Sequence, residues 1–94
     1  MATKANLAEW LLEALKANDG RATIVTVCKH IWGHHEAELR RSGDLFYTWQ
    51  YDVRWAAHYL RRTGVMRSAQ FSPKGLWELQ SQPLRLDVKT DIVI

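Results

Sequence analysis

Gln50, Tyr51, Arg54, His58 and Arg61 fall within one stretch of twelve residues, and Lys74 follows in a short turn. On a helical wheel Tyr51, Arg54, His58 and Arg61 lie off the apolar stripe of that stretch, so one helix would present them together, with Gln50 near its start. Arginine can pair with guanine edges in a major groove and tyrosine can reach a phosphate. Mixed arginine and aromatic side chains also suit the centre of a protein interface. Tyr47, Trp55, Tyr59 and Arg62 share this outer arc. A helix face meant only for water would carry Glu and Lys, so large aromatics there point to a contact. Trp55 and Tyr59 are expected to be covered by neighbouring structure, whereas Tyr47, Tyr51, Arg54 and His58 lie too far round to be buried the same way.

Other reactive residues form weaker patterns. Cys28, His30, His34 and His35 include an i, i+4 histidine pair. No second cysteine exists to complete a structural zinc site, Cys28 lies on an apolar stripe, and Gly33 would interrupt the helix between the two histidines. A buried small cysteine and polar loop histidines are the expectation. Asp87-Val88-Lys89 is half of a metal-dependent nuclease pattern, without the further carboxylates such a site requires, and reads as a solvated strand edge. Ser68 and Ser72 have no His/Asp pair beside them for activation, and no Gly-rich phosphate loop is present. No enzyme, no metal and no cofactor is expected.

The elements that must hold the outer arc follow from periodicity. Phe46, Trp49, Val53, Ala56, Ala57 and Leu60 recur at three- and four-residue steps, which predicts a long helix over 47–62. Arg61 and Arg62 suit its last turn and Gly64 its end. Residues 65–71 then predict a strand, Ser72-Pro73-Lys74-Gly75 a turn, and Leu76, Trp77 and Leu79 a returning strand. Upstream, Asn6 with Glu9 predicts a helix start, and Leu7, Trp10, Leu11, Ala14 and Leu15 its stripe. Arg21 and Ala22 allow only a brief extended pairing. Thr23 predicts a second cap, followed by Ile24, Val27, Cys28 and Ile31, with Gly33 as the stop and a short turn of helix at 35–41. Trp10, Ile24, Val27, Ile31, Val53, Ala56, Leu60, Trp77 and Leu79 are expected in one core.

Ninety-four residues with 47% hydrophobic content suffice for one small domain. The opening stretch is amphipathic, interrupted by Glu9 and Glu13, and is neither a leader nor a span. With a single cysteine and no internal disulfide, the cytoplasm is the expected compartment. Net charge is +3, but residues 40–74 carry seven Lys/Arg against Asp44 and Asp52. Positive charge thus concentrates on the long helix and the turn after it, as a phosphate-binding surface needs. In residues 84–94, Leu84, Leu86, Val88, Thr90, Ile92 and Ile94 alternate with polar residues, which predicts an extra C-terminal strand. That strand needs cover, either within the domain or from a second copy in a homodimer.

Gln50, Arg54, Trp55, Ala56, Tyr59, Leu60, Arg61, Arg62, Gly64, Lys74, Gly75 and Trp77 resemble the run found in the N-terminal domain of Mrr-type restriction endonucleases. Gly20-Arg21-Ala22-Thr23 and Ile31-Trp32 also fit that family's second-helix region, so the resemblance spans about two-thirds of the chain. It implies a DNA-binding winged helix, here as a stand-alone module in which the nuclease domain, and with it any cleavage, is absent.

The combined expectation is an α+β, mainly α chain: a winged helix-turn-helix over residues 1–82, with three main helices and a two-stranded wing, then a strand or tail over 83–94. Its expected function is binding of double-stranded DNA, as in a restriction system or a regulator. Gln50 and Arg54 would read bases, with Tyr51, His58, Arg61 and Lys74 on the backbone. The alternative is a winged-helix protein–protein interaction or dimerisation module without specific DNA binding.

Overall fold

The structure, a computed structural model, describes residues 2–80. Three helices and two short strands run in the order α1 (Lys4–Ala17), β1 (Arg21–Thr23), α2 (Ile24–Arg40), α3 (Leu45–Arg62) and β2 (Leu76–Glu78). The chain is mainly helical with one two-stranded antiparallel sheet. The tail strand expected over 83–94 lies outside the described residues.

Helix α1 begins a turn earlier than Asn6 alone suggests. Thr3 is its cap, and the Thr3 N–H donates to Asn6 Oδ1 at 2.9 Å. A long-range contact fixes this start. The Ala2 N–H donates to the buried Ser42 Oγ, which itself donates to the Glu38 carbonyl. Ala2 is thereby docked on the α2–α3 connection, and the helix starts where the chain leaves that anchor. Thr23 caps α2 as expected, accepting from the Thr26 N–H at 3.2 Å.

Gly33 does not stop α2. The helix passes through it and breaks at His35, whose φ of −132° and ψ of 19° are not helical. A mid-helix glycine costs only about 1 kcal/mol relative to alanine. Burial of Ile31 before the kink and Leu39 after it outweighs that cost.

Helix α3 ends as the sequence predicts. Gly64 takes φ +83°, the Val65 N–H returns to the Leu60 carbonyl at 2.9 Å, and the Gly64 N–H to that of Arg61 at 3.2 Å. This Schellman closure satisfies two terminal carbonyls and reverses the chain. The strand expected over 65–71 is realised only at its beginning. Met66 pairs with Leu79, the Arg67 N–H donates to the Glu78 carbonyl, and the Gln80 N–H to that of Val65. From Ser68 onward the chain turns on itself: the Phe71 N–H bonds the Ser68 carbonyl and the Gln70 N–H bonds Ser68 Oγ. Serine offers its own backbone these local bonds in competition with a ladder.

On the other edge of β2, β1 pairs antiparallel in the register Arg21↔Glu78, Ala22↔Trp77 and Thr23↔Leu76. One core joins all the elements, with Leu7, Leu11, Leu15, Val27, Ile31 and Val53 fully enclosed. All nine expected core residues belong to it, Ile24 and Leu79 at its margin. No helix among the described residues is long and apolar enough to cross a membrane.

Candidate nucleic-acid interface

Helix α3 shows three faces to its surroundings. Its inner stripe of Trp49, Val53, Ala56, Ala57 and Leu60 is buried. One flank carries Asp52 and packs toward α1. The outward arc carries Tyr47, Gln50, Tyr51, Arg54, His58 and Arg62, all exposed. Asp52 is the only acid in the helix, and it is 7% exposed. Thr48 Oγ1 donates to its Oδ2 at 2.7 Å, and Lys4 Nζ lies 3.9 Å from its Oδ1. The arc is left with arginines, a histidine and tyrosines and no carboxylate, so its field is positive.

The six expected site residues fall into three places on this surface. Gln50 and Arg54 line a groove between α2 and α3, opposite Lys29. Tyr51, 77% exposed, and His58 stand on the outermost ridge, as does Tyr47 at 82%. Arg61 and Lys74 line a smaller cleft between the end of α3 and the hairpin turn. Arg61 is also tied down, its Nε donating to the Arg67 carbonyl at 3.2 Å. From Gln50 to Arg61 the helix rises roughly 16 Å at 1.5 Å per residue. The surface therefore runs continuously from the start of α3 to the hairpin.

The expected covering of Trp55 and Tyr59 does not occur. They remain 41% and 40% exposed and stack on each other instead, centroids 5.7 Å apart and planes 13° apart. Lys4 Nζ sits 5.8 Å from the Trp55 ring. The hairpin meets α3 at its C-terminal end and α2 meets the opposite flank, so neither reaches these rings.

Sequence reasoning missed Lys4, Lys29 and Glu13. Lys4 belongs to a helix read only for its apolar stripe, and its pairing with Asp52 spans 48 positions. Lys29 lies one step off the α2 stripe. Its significance depends on the neighbouring apolar Val25, which also lies off that stripe and is exposed. The four candidate metal ligands of α2 do not assemble: Cys28 faces Arg54 and the groove, while His35 turns to Glu13 on α1, with Nε2 2.6 Å from Oε1. Among the described residues no three His, Cys, Asp or Glu side chains converge to hold a metal ion.

Compared with protein-family models, curated proteins and solved structures, the chain matches none.

Proposed function

We propose that this chain is a small winged-helix module that binds double-stranded DNA without catalysing a reaction or carrying a cofactor. Helix α3 would enter the major groove and the hairpin of residues 65–80 would serve as the wing. One observation carries the reading. The outward arc of α3 is free of carboxylates because its single acid, Asp52, is turned inward to Thr48 and Lys4. Gln50 lies in the second turn of the eighteen-residue helix and Arg54 at its middle; recognition helices use their first turns for base edges, which favours Gln50 over Arg54 as the leading base reader. Tyr51, His58 and Arg61 run on toward the flanking backbone, and Lys74 extends the surface from the hairpin.

The test is fluorescence anisotropy on a duplex at two salt concentrations. Neutralisation of three to four phosphates predicts a slope of roughly −3 in log K against log salt. Arg54→Ala relaxes any sequence preference, because a good base contact is worth about 1–3 kcal/mol of discrimination. A protein that fails to bind duplex at low salt is not this module.

The second reading, a protein-docking module, draws on the exposure of Tyr47 and Tyr51. In that case DNA affinity is weak and indifferent to Arg54→Ala, while Tyr51→Ala or Trp55→Ala abolishes a partner complex.

A further inference from the structure

Helices α2 and α3 leave between them an open groove of about 650 Å³, lined by no residue of α1. Its size falls within the range of small-molecule sites. Trp32 and Trp49 lie nearly parallel in its wall, 7° between planes and 6.2 Å between centroids. Phe46 continues the aromatic wall, and the Arg40 guanidinium lies over the Trp32 and Phe46 rings at 5.3 and 5.6 Å.

The rim is of opposite character. Lys29 projects from α2 and Arg54 from α3, both exposed, and neither has a carboxylate partner among the described residues. Among the described residues no acidic side chain lines the groove. Cys28 forms part of its lining, and burial pushes the thiol pKa up against the opposing pull of Arg54, so at neutral pH it is uncharged. An aromatic wall beneath two unpaired cations is complementary to a flat ring that carries one negative group. A neutral ring would leave the two cations unmatched, and a cationic one would be repelled.

We propose that this groove binds a small planar aromatic carboxylate, its ring against the half-buried Trp32 and Phe46, with the buried Trp49 backing Trp32 from the core, and its carboxylate between Lys29 and Arg54. The carboxylate accepts charge-assisted hydrogen bonds from the ammonium and the guanidinium. Arg54 is also a proposed base reader, so the bound anion draws it away from a duplex. That consequence rests on the DNA-binding reading; the binding itself does not.

The experiment uses the full chain with 1-naphthoate and its neutral analogue 1-naphthamide. Calorimetry gives affinity, and amide and indole NMR shifts give location. The expected result is saturable naphthoate binding with shifts at the Trp32 indole and the Phe46 amide. Naphthamide should bind at least about tenfold more weakly, and Arg54→Ala and Lys29→Ala should each lose about five- to tenfold, as the removal of one exposed charge-assisted contact implies. Both residues are exposed, and a thermal melt verifies that the variants fold. Equal affinity for acid and amide, shifts that map elsewhere, or no saturation at millimolar ligand overturns the proposal. So does saturation of the groove by dAMP and not by naphthoate, which assigns it to nucleic acid. Naphthoate is then added to the protein–duplex complex. Displacement supports the shared use of Arg54, and naphthoate binding without displacement overturns it. Failure of the protein to bind duplex at all overturns the DNA reading and leaves the naphthoate titration intact.

Discussion

His35 lies flat on the indole of Trp10, ring centroids 4.0 Å apart and planes 9° apart, at the residue where α2 loses helical geometry. Its Nε2 stands 2.6 Å from Glu13 Oε1, one turn further along α1. An ionised carboxylate only accepts, so the Nε2–H is the donor. Kink, stack and hydrogen bond form one latch between α1 and the second half of α2.

The latch makes stability pH-dependent. The hydrogen bond from His35 is the main cause that lowers the Glu13 pKa, opposed by burial and aided by the fields of His35, His30 and His34. A carboxylate with a depressed folded pKa contributes stability above its unfolded value and loses it as pH falls through the folded one. The melting temperature should therefore hold down to the ordinary glutamate range and fall as the solution is made more acidic than that. Glu13→Gln should flatten that acid limb. At neutral pH its cost should stay under about 1 kcal/mol, because Glu13 is half-exposed. Melts of both proteins across the acid range check this, and equal acid limbs would count against the latch.

The hairpin hangs on Gly64. A methyl group there meets no atom within 4 Å, so the cost of Gly64→Ala comes from the backbone at φ +83° alone. That cost is about 1–2 kcal/mol, read as a lower urea midpoint at an unchanged m-value. Gly64→Asn should lose less, since asparagine visits this region more readily.

Asp52 should behave as a structural residue. Asp52→Ala removes a buried acceptor for Thr48 and the partner of Lys4, and should destabilise by about 1–2 kcal/mol. Because the carboxylate faces inward, removing its charge should change the salt slope of DNA binding little. A large rise in DNA affinity would place Asp52 on the outer surface and contradict the geometry.

These residues also mark how far the sequence could be read. Repeats of 3.6 residues located the three helical stripes and the shared core, because burial acts on every member of a stripe. Gly64 was legible for a local reason, as only a glycine ends that helix at so little cost. The failures were long-range. Whether Thr3 or Asn6 caps α1 depends on Ser42, forty residues away from Ala2. Whether Gly33 or His35 breaks α2 depends on Trp10 and Glu13. Within the site, the outward direction of Tyr51, Arg54 and His58 is legible, since angle on a wheel is local information. Lys29 was not found, because a groove wall exists only once two helices have been set side by side.

Arg61 and Lys74 line the same cleft yet should fail differently when removed. Arg61 is half-buried and donates to the Arg67 carbonyl, so it straps the hairpin to α3. Arg61→Ala should lower stability by about 1 kcal/mol and should weaken DNA binding in part by loosening the hairpin. Lys74 is exposed in the turn and takes part in no ion pair among the described residues. Lys74→Ala should leave the melting temperature unchanged, weaken binding to all duplexes about equally and reduce the salt slope by about one. Arg61→Lys separates the roles of Arg61: an ammonium keeps the charge but loses the Nε donor. It should restore most of the salt slope and little of the stability. Equal stability losses for Arg61→Ala and Lys74→Ala would remove the strap. An unchanged salt slope for both would remove the hairpin from the DNA interface.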